Sequence, residues 1–118
     1  MLGTTLTSPG YPVGYLPNVS RTYPIEVPEG KKIEVRFLDI DLENRCDGEC
    51  LFDWVKVMDE EDADGDGAED DEEDILLDKS CYNDKPAVFT SLSNKIMVYF
   101  KTDESVQKKG WMLNWKEV

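Results

Sequence analysis

Apolar and polar positions alternate with a period of two along much of the chain, and a helical period is weak throughout. Lys32 to Phe37 reads polar, apolar, polar, apolar, polar, apolar, as a half-buried strand does. The phase then slips, because Ile33, Val35 and Phe37 are odd-numbered whereas Ile40 and Leu42 are even-numbered. A β-bulge near Leu38 and Asp39 accounts for the slip. Leu51–Met58 is rich in β-branched and aromatic residues and predicts a second strand, and Asp74–Leu77 a short third. Ala87–Leu92 leads into a Ser93-Asn94 turn. Beyond it Ile96, Val98 and Phe100 mark one alternating strand, and Trp111, Leu113 and Trp115 another, entered through Gly110. Thr4–Thr7 and Tyr23–Val27 are shorter strands on either side of a turn-dense Pro9–Pro17 stretch. About eight short strands separated by turns predict an all-β, antiparallel sandwich. Phe37, Phe100, Trp111 and Trp115 are expected in its core.

The length of 118 residues accommodates one domain, residues 1–118, without a linker or internal repeat. No window approaches the roughly 20 apolar residues of a membrane span. No apolar leader-like stretch opens the chain, so any targeting peptide is expected outside it. The absence of histidine removes the commonest general base, the Ser-His and Cys-His pairs and histidine zinc sites. A net charge of −13 argues against nucleic acid and anionic membrane surfaces as partners. That charge is concentrated. Residues 59–74 hold 12 of the 26 acids and no base, leaving 14 acids against 13 bases elsewhere. The chain therefore reads as a near-neutral domain carrying one acidic hairpin insertion. Three cysteines leave one over, and the residues alone permit either Cys50–Cys81 or Cys46–Cys81.

Several segments, in order, resemble the CUB domain family. They are Gly3–Pro12 with Tyr15; Ile25–Gly30; Phe37–Glu43; Cys50-Leu51-Phe52-Asp53-Trp54-Val55-Lys56-Val57; Ser91–Phe100; and Thr102–Ser105 followed by Gly110-Trp111. The resemblance covers nearly the whole chain. It implies an extracellular, jelly-roll β-sandwich of two sheets that acts as a binding module, not an enzyme. It pairs Cys50 with Cys81, which would close a loop worth about 3–4 kcal/mol in the chain-entropy model. Cys46 is then free or linked to another chain. The chain departs from most of the family in lacking an N-terminal disulfide, whose second cysteine would fall near Arg21. In this it is similar to the first CUB domains of complement initiating proteases. It departs again in the insertion between Cys50 and Cys81.

The resemblance also implies a calcium site. Tyr15, Glu43, Asp53 and Asp103 stand at the positions conserved in pattern among calcium-binding CUB domains, with the Ser105 carbonyl as a further ligand. Calcium takes six to eight oxygens, and three carboxylates from separated segments suit it. Tyr15 would hold a ligand from outside the coordination sphere. Val106 stands where the family often has Asn. One feature of the residues themselves points the same way: Asp53 shares its parity with Val55 and Val57, so a carboxylate faces inward.

Asp62, Asp64, Asp66, Gly67, Ala68, Asp70 and Glu73 fit the EF-hand spacing, and a second calcium loop competes there with a solvated acidic loop. The expected function is calcium-dependent binding of a basic, lysine-presenting protein. The competing expectation is a scaffold or matrix calcium-binding module in which calcium only rigidifies the fold. Paired carboxylates could in principle serve glycoside hydrolysis, but no substrate cleft is suggested. Asn18-Val19-Ser20 is an N-glycosylation sequon near Tyr15.

Overall fold

The computed structural model describes residues 4–59, 75–104 and 107–118. Their strands are β1 (Thr4–Thr7), β2 (Ser20–Glu26), β3 (Ile33–Asp41), β4 (Trp54–Asp59), β5 (Ile75–Ser80), β6 (Phe89–Thr90), β7 (Lys95–Lys101) and β8 (Gly110–Glu117). They form two four-stranded antiparallel sheets, in the orders β1-β8-β3-β6 and β2-β7-β4-β5. The alternation of β3 is observed, Ile33 and Val35 being fully buried. The register against β8 shifts between Phe37 and Asp39, so Leu38 bulges out at half exposure and Ile40 turns inward.

Side chains from both sheets interdigitate between them. Ile33, Val35, Ile40 and Leu113 face Val55, Val57, Ile96 and Val98. Trp111 sits at the centre, with edge-on contacts to Phe100 at 5.7 Å, Tyr23 at 5.7 Å and Phe37 at 6.2 Å between ring centroids. Phe100 and Trp111 are buried as expected, whereas Phe37 and Trp115 are only half-buried and pack against the core's margin. Trp115 lies opposite Thr4 of β1, the edge strand of its sheet among the described residues.

Two boundaries differ from expectation. β4 starts at Trp54, not Leu51, because Asp53 is drawn into hydrogen bonds outside the ladder. Asp59, the first residue of the acidic block, is not solvated. It ends β4 with 4% exposure, and its carboxylate accepts from the Leu92 and Ser93 amides and the Ser93 hydroxyl. These bonds hold the β6–β7 turn. The insertion therefore begins after Asp59, and the EF-hand-like positions Asp62, Asp64, Asp66, Ala68, Asp70 and Glu73 lie outside the described residues.

At the other end of the sandwich the β1–β2 connection is stitched to β8. The Ser8 amide donates to the Trp111 carbonyl at 3.0 Å, and the Trp111 amide donates to Ser8 Oγ at 2.9 Å. Tyr11 donates to Asp39 at 2.6 Å, and Lys109 pairs with the same carboxylate at 2.6 Å. Gly110 makes this approach possible. Its φ is +114°, and a Cβ there would lie 2.1 Å from Ser8 Oγ. Ser8 is buried and engaged, so it has nowhere to retreat. Gly110→Ala should lower stability by about 2 kcal/mol, from strain and the lost Ser8–Trp111 bond. Denaturant titration should show a lower midpoint with an unchanged slope, and adding Ser8→Gly should recover part of the loss. A midpoint within experimental error of the parent would show that the loop yields.

Candidate metal centre

The antiparallel wiring gathers separated segments at one end of the sandwich. Across the second sheet Ser20 pairs with Lys101, and Lys101 with Trp54, so the start of β2, the end of β7 and the start of β4 lie in one row. In the first sheet Asp41, near the end of β3, pairs with Gly110 at the start of β8. Glu43, Asp53 and Asp103 each stand two residues or fewer beyond these strand ends. Ligand-capable oxygens of the three carboxylates all lie within 4.8 Å of one another.

Each is held by identifiable contacts. Cys50 and Cys81 form a disulfide with Cα atoms 5.8 Å apart, as the family pairing implies, and Cys46 is the free cysteine, half-buried in a tight turn. The bridge ties the approach to β4 to the segment after β5. Tyr82, next to Cys81, accepts from the Leu42 amide at 2.9 Å and donates its own amide to the Glu43 carbonyl at 3.3 Å. Asp84 accepts from the Cys81 amide at 3.0 Å and pairs with Arg45 at 2.5 Å. Glu43 is thereby fixed relative to Asp53 through the disulfide. The cluster of Cys50, Cys81 and Asp84 is not a metal site, since its sulfurs are bonded to each other.

Asp53 has 0% exposure. Its Oδ2 accepts from the Tyr15 hydroxyl at 2.5 Å and its Oδ1 from the Asp103 amide at 2.8 Å. Tyr15 is itself buried, its ring edge-on to Phe100 with centroids 5.5 Å apart, and its amide donates to the Lys108 carbonyl. Burial, and then the adjoining Asp53 carboxylate, push the Tyr15 hydroxyl upward, so it remains a donor. Burial likewise raises the Asp53 carboxyl, although the Tyr15 and Asp103 hydrogen bonds oppose this.

Glu43 is raised by burial first and then by the Asp103 and Asp53 charges, with Lys108 opposing. Its Oε1 is buried and has no hydrogen-bond partner among the described residues. The centre thus concentrates negative charge, buries part of it and leaves one acceptor oxygen unserved. Those are the properties that an oxygen-seeking divalent cation would relieve. Glu43, Asp53, Asp103 and Tyr15 are brought together. Ser105 lies outside the described residues. Sequence reasoning missed Lys108, whose charge acts on Glu43. No short-range pattern ties a lysine after β7 to a glutamate after β3.

Sign and size follow for the cation-free protein. A carboxyl raised on folding opposes folding above its folded value, and that opposition is gone below its unfolded value near 4.5. In chelator, Glu43→Gln should be more stable than the parent at pH 7, by at most about 1 kcal/mol. The difference should close as the pH falls past 4.5. Paired thermal melts would test this, and a variant no more stable than the parent at pH 7 would contradict the reading of Glu43 as an uncompensated charge.

The CUB domain family model matches residues 2–115, and the chain belongs to the CUB domain family. It is 35% identical over 106 residues to Protein SpAN of Strongylocentrotus purpuratus, covering 90% of this chain and 15% of the relative. It is 32% identical over 110 residues to Tolloid-like protein 1 of Mus musculus, covering 93% of this chain and 10% of the relative. The chain thus spans a small part of these curated relatives. Among solved structures, the full extracellular region of zebrafish Gpr126/Adgrg6 is similar at 30% identity and a TM-score of 0.78, with 100% of this chain and 14% of that chain covered. A MASP-1 CUB2 domain bound to Ca2+ is similar at 25% identity and a TM-score of 0.78, with 97% and 90% covered. The chain is an extracellular module of this family.

Proposed function

We propose that this CUB domain is a protein-interaction module that holds calcium between Glu43, Asp53 and Asp103 and receives there a lysine of a basic partner. The observation that carries the reading is the buried, unpartnered Glu43 Oε1 in a cluster whose three carboxylates approach within 4.8 Å. Three carboxylates carry a charge that one divalent cation only partly neutralises. The residual negative charge at the rim suits an ammonium, and its hydrogen bonds to carboxylate would be charge-assisted. The solved MASP-1 CUB2 relative, bound to Ca2+, supports the ion's identity. The Ser105 carbonyl would be a further ligand, as in the family pattern. Tyr15 would hold Asp53 in place without touching the ion.

The acidic insertion contributes differently. It leaves β4 at Asp59 and rejoins at Ile75, opposite Met58, at the end of β4 remote from Asp53. Six strand residues span about 20 Å, more than twice the Debye length of about 8 Å at physiological salt. Its attachment points therefore add long-range steering of a cationic partner more than local charge at the centre. Whether it also holds an ion through Asp62, Asp64, Asp66, Ala68, Asp70 and Glu73 is decided by deleting residues 60–73.

Calorimetric titration should give one calcium site in the parent, with a Kd on the order of 0.1–1 mM. That site should be abolished or weakened at least about tenfold by Asp53→Asn and by Asp103→Asn. It should survive deletion of 60–73, whereas loss of a second site in that deletion would establish the EF-hand-like loop. Calcium should also reverse the stability ranking of parent and Glu43→Gln seen in chelator. A peptide bearing one lysine, displayed on a carrier protein, should bind in calcium and be released by chelator, by lysine acetylation or by about 0.5 M salt. No saturable calcium binding at a few millimolar would sink the reading. Calcium binding with no dependence on the lysine would leave an ion that only stiffens the loops.

A further inference from the structure

Asn18-Val19-Ser20 is the chain's only Asn-x-Ser/Thr triplet. The structure gives it a setting that the triplet alone lacks. Asn18 is exposed and has a φ of 56°, in the left-handed region that Asn tolerates at turns. Ser20 is also exposed, at the first position of edge strand β2. The segment is fastened to the residues that lead into the carboxylate centre. The Asn18 amide donates to the Asp103 carbonyl at 2.8 Å. The Val19 amide donates to Thr102 Oγ1 at 2.8 Å, and the Val19 carbonyl accepts from the Thr102 amide at 2.9 Å. The Thr102 hydroxyl donates to the Leu16 carbonyl at 3.0 Å. Four hydrogen bonds therefore fix residues 16–19 against Thr102 and Asp103.

A second observation concerns the same loop. Val13 is 95% exposed and Leu16 72% exposed, on either side of the buried Tyr15. These two large apolar side chains lie in the same loop as the sequon, on surface that a bulky, hydrated group would screen from water. An extracellular chain is made where sequons are modified.

We infer that Asn18 carries an N-linked glycan that covers Leu16 and stands beside Asp103, slowing the approach of a macromolecular partner while leaving calcium free to enter. The Asn18 backbone is bonded to the Asp103 carbonyl, so the side chain that carries the attachment atom starts from a position fixed beside the centre. An ion a few ångströms across passes beneath such a group, whereas a protein docking surface meets it. The restriction on partners rests on the lysine reading proposed above; the modification does not.

The test is secretion of the chain from cultured animal cells, with mass spectrometry before and after enzymatic removal of N-glycans. The expected result is a single glycan at Asn18, left as Asp on removal and absent from Ser20→Ala. Secreted protein with unmodified Asn18 would overturn the inference. Association of the carrier-displayed lysine peptide should be at least about threefold faster for Ser20→Ala than for the glycosylated parent, within the range over which association rates of related complexes vary. Calcium affinity should be unchanged. If Ser20→Ala is not secreted, the enzymatically deglycosylated parent replaces it. Equal association rates for the two glycoforms would overturn the restriction on partners. If neither form binds the peptide, the lysine reading and with it the restriction fall, and the mass spectrum alone still decides the modification.

Discussion

Taking a carboxylate out of water costs several kcal/mol unless hydrogen bonds and counter-charge compensate it. Asp53, with no exposed surface, is where this end of the sandwich meets that cost. Its two hydrogen bonds come from far along the chain, one from the Tyr15 hydroxyl and one from the Asp103 amide. For Tyr15 to reach it, the β1–β2 loop must fold back over the core. That return depends on the close Ser8–Gly110 approach and on the Tyr15 amide meeting Lys108. The loops therefore have little freedom to part while Asp53 stays ionised.

A buried aspartate stands at either end of β4, Asp59 as its last residue and Asp53 just before its first, and the two are held differently. Asp59 accepts from neutral donors, the Leu92 and Ser93 amides and the Ser93 hydroxyl. Its charge is solvated by the protein and holds a turn. Asp53 has two donors but also two carboxylate neighbours, one of which leaves a buried oxygen unserved. Hydrogen bonds stabilise a single charge. They do not answer the repulsion of three. The total of −13 thus conceals distinct kinds of acid: one that builds a turn, three that form the centre, and a block inserted at the remote end of β4.

The disulfide adds a constraint of another kind. Cys50 is three residues from Asp53, and Cys81 is followed by Tyr82, whose backbone pairs with Leu42 and Glu43. One covalent bond therefore links the segment carrying Asp53 to the segment holding Glu43, although the two acids approach from different sheets. Such a link limits how far like charges can move apart, so their repulsion adds to burial, the larger cause, in keeping the Glu43 carboxyl raised.

Much was legible from the residues alone because strand formation leaves a local record. Period-two alternation marked β3, β7 and β8, β-branched and aromatic content marked β4, and the change of parity between Phe37 and Ile40 marked the bulge that the β3–β8 register confirms. The parity of Asp53 with Val55 and Val57 announced a buried carboxylate, since successive strand side chains face opposite ways. What that carboxylate meets was legible only through family resemblance, because Glu43, Asp53 and Asp103 are joined by sheet pairing and not by spacing. Asp59 shows the limit most plainly. In sequence it is the first of an acidic run; in the fold it is a buried turn anchor, because the β6–β7 turn more than thirty residues away supplies its donors. The sequence by itself determined the strands, their inward faces and the presence of a buried charge, all properties of neighbours along the chain. Tertiary structure alone decided which acids share a site, which disulfide forms, and that the inserted charge leaves from the opposite end, since those depend on long-range pairing that no local pattern encodes.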